Sequence, residues 1–507
     1  MLRYLLALLA GLCFPLGLAP YGIWPFAIAS VVALLYCLRD AQALQSLGYL
    51  LVYGIGMYAV GASWLYEALI ILGDVEEWLA VLLSSTFVLF YAGFFTLTVF
   101  FAQIWIRTVL GSLLRSHSAL ASSIAWCAGW LIYEQINYST SLDTSFPWLH
   151  IGYAFTDTWV ASLASIGGVT LVGLCAFVMA LGILEFPRWR LWSMVAIGVP
   201  WFAGALVAQQ HWTNAGEEVD VALVQANVSL QEKWEDSGFV RSWEAHVDLT
   251  AQIDAADLIV WPEVALPAYE DELHPHFRYL TEGLDATLVI GAIVRRGFDG
   301  PVYNAVVVLE PGYERVGKFL KTKLVPFGEY TPFSWLFGPI RDAMDIKSED
   351  YSKGSMNQQP LTISCCTFGV SVCYEVAFPM LIAERARNTD FIVASSEDAW
   401  FGNSLGPAQH MQISRMRAIE TGRYLIRSTS NGITGIVDPK GRLVHRLPRN
   451  EPGVLRMKIT KMEGSTPFMY LAAFIGSIAS PFFGIGAAIG LPLVALVARP
   501  KRPVPHG

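Results

Sequence analysis

The sequence predicts a membrane α-helical bundle of about eight transmembrane helices joined to an α/β domain. Charge distribution and apolar patterning are the two observations behind this prediction. Residues 1–212 are filled by apolar segments and contain six Arg, no Lys and nine Asp or Glu. Residues 213–466 contain 58 charged residues, a charged fraction close to that of an ordinary soluble domain. β-rich runs alternate with helical runs in the same segment. Residues 467–507 are apolar again and end in a basic tail, so we place the domain boundaries after 212 and after 466.

The apolar segments are read as spans because a helix needs about 20 residues to cross a bilayer. Seven precede the charged domain and one follows it: 4–19, 23–38, 47–66, 78–106, 118–135, 158–184, 190–210 and 468–498. The first two are short and separated by Pro20, Tyr21 and Gly22, which favours a helical hairpin. The N-terminal segment could instead be a signal cleaved before Cys13, but Leu12 is not the small residue that precedes such a cut.

Loop charges orient the predicted bundle through the excess of Lys and Arg in cytoplasmic loops. If the spans alternate, all the basic residues outside the charged domain fall on one side: Arg3, Arg39, Arg107, Arg115, Arg188, Arg190, Arg499, Lys501 and Arg502. The opposite loops, 67–77 and 136–157, contain acidic residues and no Lys or Arg. Both termini are therefore expected in the cytoplasm, and the 213–466 domain outside it.

Composition and missing motifs exclude several function classes. The net charge of −8 argues against a nucleic-acid partner, which would require a basic face. The domain contains no GxGxxG, P-loop, GxSxG, HExxH or CxxC pattern, so dehydrogenase, NTPase, serine esterase and zinc protease lose support. No cluster has metal-ligand spacing, and we expect neither a metal nor an organic cofactor. Cys365, Cys366 and Cys373 are the domain's only cysteines, so at least one stays unpaired within the chain.

Strand and helix patterns interleave along the charged domain, which is typical of an α/β fold. The predicted strands are Val219–Ala226, Leu258–Trp261, Thr287–Val294, Tyr303–Leu309, Leu361–Thr367, Val370–Cys373, Phe391–Ala394, Tyr424–Ser428 and Gly432–Val437. The predicted helices are about 236–255, 272–283, 378–388 and 407–421.

Reactive side chains follow three of these apolar or strand-like runs. Glu263 comes after Trp261 and Pro262, Lys321 and Glu329 bracket the run 324–328, and Cys373 ends a short strand. Catalytic groups of α/β proteins gather at such strand ends. A thiolate is a nucleophile whose pKa a nearby Lys lowers, a Glu can move its proton, and a Lys can stabilise an oxyanion. Each residue alone could be an ordinary turn or ion-pair residue, and their ordered coincidence favours catalysis.

The three segments resemble a known signature. Trp261-Pro262-Glu263, the run Lys321 to Tyr330 and Cys373-Tyr374-Glu375 are similar to the Glu-Lys-Cys motifs of the nitrilase superfamily. With about seven spans before the domain and one after it, the chain resembles the apolipoprotein N-acyltransferase family along its whole length. Glu397 departs from this pattern, in which Asn is expected.

The resemblance implies a four-layer αββα sandwich with Glu263 as general base, Lys321 as transition-state stabiliser and Cys373 as acyl-carrying nucleophile. Glu375 and Glu329 resemble supporting acids of the site, which Tyr374 adjoins. The implied donor is a phospholipid, typically phosphatidylethanolamine, and the implied acceptor is the amino group of a diacylated apolipoprotein. Such an enzyme lies in the bacterial inner membrane with its catalytic domain in the periplasm. Nothing in the sequence demands a partner chain, and we expect a monomer.

Lipid substrates require an apolar path to the site. Residues 333–340, which include Trp335 and Phe337, are unusually apolar and follow the Lys/Glu motif, as a lipid-access arm would, although a core strand or packed loop would look the same. Further candidates for the substrate cleft are Trp234, Trp400, Phe401 and Asn431.

Two other classes of protein stay open. A membrane-tethered amidase would hydrolyse a small amide and would need no apolar arm. A transporter or sensor would carry functional charges inside its spans, where this sequence has almost none away from the span ends.

Overall fold

The structure is a computed structural model that describes residues 1–73, 75–110, 118–142, 145–297, 299–335, 338 and 350–478. Phe337 and most of the predicted final span therefore lie outside the described residues, as does half of the 333–340 segment.

The N-terminal region is helical, as predicted. Its helices are α1 Leu2–Cys13, α2 Trp24–Leu38, α3 Ala43–Gly61, α4 Trp64–Gly73, α5 Glu77–Leu110, α6 Ser118–Asn137, α7 Ala164–Glu185 and α8 Arg190–Val207. Within the described ranges, four segments are long and apolar enough to cross a membrane: Ala43–Gly61, Glu77–Thr108, Trp159–Glu185 and Arg190–Val207. Leu2–Gly17 and Trp24–Leu38 are apolar but shorter. The helical membrane region is thus confirmed, whereas the full number of eight spans stays a prediction.

Small residues let the helices of this bundle approach closely. A Cβ added at Gly11 of α1 would lie 2.1 Å from the carbonyl oxygen of Tyr53 on α3. Such contacts are typical of helix packing in membranes, where backbones meet at glycines. The predicted span 47–66 is interrupted, because α3 ends at Gly61 and the separate helix α4 begins at Trp64.

The charged domain is a two-sheet sandwich. In the described part of the chain, the strands are β1 Thr213–Gln225, β2 Leu258–Val260, β3 Thr287–Arg295, β4 Val302–Glu310, β5 Glu314–Leu320, β6 Leu361–Thr362, β7 Thr367–Val372, β8 Phe391–Ser396, β9 Tyr424–Thr429, β10 Gly435–Val437, β11 Leu443–Arg446 and β12 Gly453–Gly464. Within the described ranges they form two six-stranded sheets, with the orders β12-β1-β2-β3-β4-β5 and β11-β10-β9-β8-β7-β6. β5, β11 and β12 are strands that the sequence reading missed.

Helices cover both outer faces of the sandwich. They are α9 Leu230–Lys233, α10 Gly238–Thr250, α11 His274–Glu282, α12 Pro379–Arg385 and α13 Gly406–Thr421. A further helix, α14 Pro467–Ile478, packs through Phe468 and Ala472 on Ala383 of α12. Alternate side chains of the two sheets, such as Val260 and Val370, meet in one buried core between them. Ile259 and Phe277 belong to a second core, under α10 and α11. The layer order is therefore αββα, as expected.

The second helical layer lies directly on the membrane bundle. Met411 and Met416 of α13 share a buried core with residues of α1 to α7. Hydrogen bonds cross the same boundary: Trp148 Nε1 donates to Gln409 Oε1 at 2.6 Å, and the Val169 amide donates to Glu420 Oε1 at 2.7 Å. The sheet that carries Cys373 is consequently the one nearer the membrane helices.

Candidate active site

The three predicted reactive residues all follow strands. Lys321 comes directly after β5, Cys373 directly after β7, and Glu263 shortly after β2. β2 and β7 belong to different sheets, so the two residues that follow them approach each other across the sandwich. Both Glu263 and Lys321 act electrostatically on the Cys373 thiol, so the three side chains occupy one site.

Two carboxylates share the Lys321 ammonium. Lys321 Nζ lies 3.0 Å from Glu263 Oε1 and 2.8 Å from Glu329 Oε1. Asn304 Nδ2 donates to the same two oxygens, at 2.6 Å to Glu263 and 2.8 Å to Glu329. The second oxygen of Glu329 accepts from the Val325 amide at 2.8 Å, and this hydrogen bond fixes Glu329 within the loop after Lys321.

Lys321 is a fixed cation in this arrangement. Burial alone would lower its pKa, but the negative charges of Glu263 and Glu329 raise that pKa well above its ordinary value. Since the ammonium stays protonated at every physiological pH, Lys321 cannot accept a proton, and it is suited to stabilising negative charge.

Cys373 is a buried thiol on a strained turn. Its backbone has φ +50°, in the left-handed region that non-glycine residues seldom adopt, and only 4% of its surface is exposed. Burial raises the pKa of the thiol well above its ordinary value, and the charge of Glu263 raises it further, whereas Lys321 lowers it. The resting thiol is therefore protonated and requires a base before it can attack.

Glu375 connects the turn of Cys373 to the loop after Lys321. Its fully buried carboxylate accepts from the Thr322 amide at 2.7 Å, the Val372 amide at 2.9 Å and both terminal nitrogens of Arg385, at 2.6 and 2.8 Å. Although burial would raise the pKa of Glu375, Arg385 and these amides hold it below its ordinary value. Glu375 thus acts as a structural brace between two parts of the site.

A buried polar cluster lies behind Cys373. His410 Nε2 donates to the carbonyl oxygen of Cys373 at 3.2 Å, and Arg427 Nη2 donates to His410 Nδ1 at 2.9 Å. Asp398 accepts from Arg427 at 2.8 Å. His410 Nδ1 also lies 3.1 Å from Asp398 Oδ1. Burial and the charge of Arg427 lower the pKa of His410, whereas Asp398 raises it.

Comparison with known proteins matches both halves of the chain. The model of the family described as apolipoprotein N-acyltransferase N-terminal domain matches residues 10–182, and the carbon-nitrogen hydrolase model matches residues 220–467. The apolipoprotein N-acyltransferase of Azotobacter vinelandii is 36% identical over 479 residues, which cover 92% of this chain and 90% of that relative. That of Pseudomonas aeruginosa is 34% identical over 513 residues, which cover 99% and 96%. The chain belongs to the apolipoprotein N-acyltransferase family.

Membership confirms the resemblance seen in the motifs and makes the chain a membrane enzyme of the nitrilase superfamily. Among solved structures, a carbon-nitrogen hydrolase from Helicobacter pylori matches at 15% identity and a TM-score of 0.38, covering 52% of this chain and 92% of that one.

The remaining candidate residues of this family member differ in burial and in the groups that they contact. Tyr374 is buried, and its hydroxyl donates to the Ser145 carbonyl at 2.6 Å. Phe401 is 1% exposed and packs edge-on against Trp64 of the bundle, with ring centres 4.9 Å apart. Trp400 packs against Phe401. Phe401 is thus a packing residue between domain and bundle, and its predicted place in the substrate cleft stays untested.

Aromatic residues near the predicted arm are exposed. Phe327, Phe333 and Trp335 are all exposed, Trp335 to 78%. This exposure does not fit a core strand over 333–335. Trp234 is also exposed, whereas Asn431 is half-buried and follows Ser430 at the end of β9.

Several residues of the site were missed from sequence. Asn304 is the lone polar residue in the apolar run 303–309, and that pattern could have marked it. Arg385, Lys233 and His410 had no such signal, because each meets its partners in other segments that only the folded domain brings together. In the described ranges no group of His, Cys, Asp or Glu is placed to hold a metal ion. Independence from metals stays a prediction.

Proposed function

We propose that this chain transfers a fatty acyl group from a phospholipid, typically phosphatidylethanolamine, to the N-terminal amino group of an S-diacylglyceryl-cysteine apolipoprotein. The acyl group passes through a thioester on Cys373. One observation carries the proposal for this chain: a protonated thiol, a buried Lys cation and a carboxylate meet at a site seated on the membrane bundle.

In the first half-reaction Glu263 takes the Cys373 proton as sulfur attacks the ester carbonyl of the phospholipid. Lys321 stabilises the resulting oxyanion. When the intermediate collapses, the acyl–oxygen bond breaks, and Glu263 returns the proton to the departing lysophospholipid oxygen. The product is an S-acyl enzyme.

In the second half-reaction the amino group of the apolipoprotein attacks the thioester. Glu263 accepts a proton from the nitrogen, the acyl–sulfur bond breaks, and Glu263 returns the proton to the departing thiolate of Cys373. Because lysophospholipid leaves before the acceptor reacts, the kinetics are ping-pong.

Contacts with the membrane region support a lipid donor. Lys323 Nζ donates to the carbonyl oxygens of Thr140 and Leu142, at 3.1 and 2.7 Å, and Tyr374 donates to that of Ser145. Lys323 and Tyr374 belong to the Lys321 and Cys373 motifs, so the loop after α6 lies against the site. The exposed Phe333 and Trp335 fit the role of a lipid-access arm.

The same contacts support the proposed topology. The loop after α6 belongs to the 136–157 segment, which contains no Lys or Arg, and it touches the catalytic domain, as it would if both lay on the periplasmic side. We propose eight spans with cytoplasmic termini in the bacterial inner membrane, and a monomeric enzyme.

Intact-mass spectrometry tests the chemistry directly. Purified protein incubated with phosphatidylethanolamine vesicles is expected to gain one fatty-acyl mass, which hydroxylamine and a diacylglyceryl-cysteine peptide both remove. Cys365→Ala is the matched control and should acylate normally, whereas Cys373→Ala should not. Absence of the adduct, with hydrolysis of a small amide instead, would leave a membrane-tethered amidase.

A further inference from the structure

A buried ion pair lies directly beside Glu263 and has no part in the reaction steps above. It joins Lys233 Nζ on α9 to Glu397 Oε2 after β8, with side-chain exposures of 2% and 14%. Glu397 is the residue at which the chain departs from the Asn expected in the family pattern. In the structure, the Glu at this position therefore has a charged partner, Lys233.

Lys233 binds three separate segments. Besides Glu397, its ammonium donates to the Val264 carbonyl at 3.2 Å and reaches Ser430 Oγ at 3.5 Å. An ammonium has three donors, and these partners from the described chain match that number. Lys233 thus connects the turn after β2 with the loops after β8 and β9.

The turn after β2 is strained, and Lys233 holds it. Val264 has φ +44°, which for a β-branched residue is a genuine outlier. Such conformations persist only where the surroundings enforce them. The turn also lies tightly on β3, because a Cβ at Gly291 would meet the Glu263 Cα at 2.5 Å. Since Val264 directly follows Glu263, its orientation sets the direction of the Glu263 side chain.

Glu397 contacts Glu263 from the other side. Its main-chain amide donates to Glu263 Oε2 at 2.7 Å, while Oε1 is engaged by Lys321 and Asn304. The Glu397 carboxylate is itself held by Lys233, by Ser430 Oγ at 2.7 Å and by the Ala399 amide at 3.2 Å. Contacts therefore form a closed ring from Glu263 through Glu397, Lys233 and Val264.

We propose that Lys233 and Glu397 form a positioning pair for Glu263, an inference that rests on the proposed function. The pair orients Glu263 so that Oε2, which carries only the Glu397 amide among the described contacts, exchanges the proton with Cys373 and the substrates. An Asn at 397 would leave the buried charge of Lys233 without a carboxylate. The Glu at this position completes the ring and neutralises that charge.

Single and double substitutions test the pair by acyl-transfer kinetics with phosphatidylethanolamine vesicles and a diacylglyceryl-cysteine peptide. Lys233→Met removes all three contacts and leaves Glu397 unpaired. We expect its kcat to fall about 100-fold, a typical contribution of general base catalysis, with the donor KM within about 3-fold. Glu397→Gln keeps the main-chain amide and an acceptor oxygen, so its kcat should fall no more than about 10-fold.

The double variant distinguishes positioning from simple loss of structure. Lys233→Met/Glu397→Gln should be faster than Lys233→Met, because the Gln removes the unpaired buried charge. Lys458→Met is the control, since Lys458 lies exposed on β12 and should leave kcat unchanged. If Lys233→Met does not fold, Glu397→Ala decides, because it keeps the amide and loses the ion pair.

The outcomes separate the two proposals. A wild-type kcat in Lys233→Met overturns the positioning role. If Lys233→Met does not fold, a wild-type kcat in Glu397→Ala overturns it. A double variant that is no faster than Lys233→Met also overturns it. A loss confined to the donor KM also overturns it. A wild-type enzyme that forms no thioester with phospholipid refutes the acyl transfer itself, before any variant is compared.

Discussion

Glu375 offers a quantitative test of how the loop after Lys321 is held to the turn of Cys373. Its carboxylate receives six hydrogen bonds from described residues. Oε1 accepts from the Thr322 amide and hydroxyl, the Lys323 amide and Arg385 Nη2, and Oε2 accepts from the Val372 amide and Arg385 Nη1. One carboxylate thereby fixes the Lys321 loop to the Cys373 turn.

Glu375→Gln preserves the shape of the side chain but removes its charge. If the amide oxygen keeps the Oε1 contacts, the NH₂ group faces two donors, the Val372 amide and Arg385 Nη1. Arg385 also loses its counterion inside the protein. Breaking a buried ion pair from one side costs about 3–5 kcal/mol. At about 2–4 °C per kcal/mol for a domain of this size, the Tm should fall by about 6–20 °C.

Thermal unfolding of the purified protein in detergent measures this loss, and thioester formation measured in parallel should slow. Glu384→Gln is the matched control on α12, because Glu384 is exposed and its removal should cost less than about 0.5 kcal/mol. A Tm for Glu375→Gln within about 2 °C of wild type, with normal acylation, would refute the bracing role.

The same residue fixes the sign of a pH effect. The pKa of Glu375 is lowered in the folded protein, so its stabilisation is fully present above the ordinary glutamate pKa. It is lost as the pH falls through the lowered folded value. The difference in Tm between wild type and Glu375→Gln should therefore shrink on acidification, and a difference that grows would contradict the assignment.

Four further substitutions have defined outcomes. Cys373→Ser should lower turnover about a thousandfold or more and Lys321→Ala about a hundredfold, in a peptide N-acylation assay, while Cys365→Ala stays near wild type. His410→Leu should slow single-turnover acylation about tenfold because the Cys373 carbonyl loses its donor, and His410→Gln should recover most of that loss. Trp335→Ser should slow transfer from vesicles but not from a soluble short-chain donor; equal loss with both donors would count against the access arm.

The strands that the sequence reading missed have one property in common. β5, β11 and β12 all lie at sheet edges. Edge strands carry charged side chains that discourage pairing with other chains, so they lack the apolar runs that mark central strands. β12 illustrates this, because Arg456, Lys458 and Lys461 interrupt its apolar residues. Most central strands were predicted close to their observed bounds, since both of their faces are buried.

Only those residues of the site that follow a recognisable local sequence pattern could be predicted. Glu263, Lys321 and Cys373 follow strand-like segments and could be selected from sequence. Partners in distant segments of the chain could not. Asn304 lies 41 residues from Glu263, and Lys233 lies 164 residues from Glu397. Hydrogen bonds across such distances depend on the packing of the sandwich, which no local pattern encodes.

Backbone strain shows why these distant partners matter. Val264, Phe327 and Cys373 each have positive φ beside one of the three motifs, at positions where glycine would adopt that conformation without steric cost. Each such residue costs on the order of 1–3 kcal/mol and persists only if its surroundings enforce it. Lys233 binds the Val264 carbonyl and His410 binds that of Cys373. The motifs therefore supply Glu263, Lys321 and Cys373, and buried residues outside the motifs hold the strained turns beside Glu263 and at Cys373.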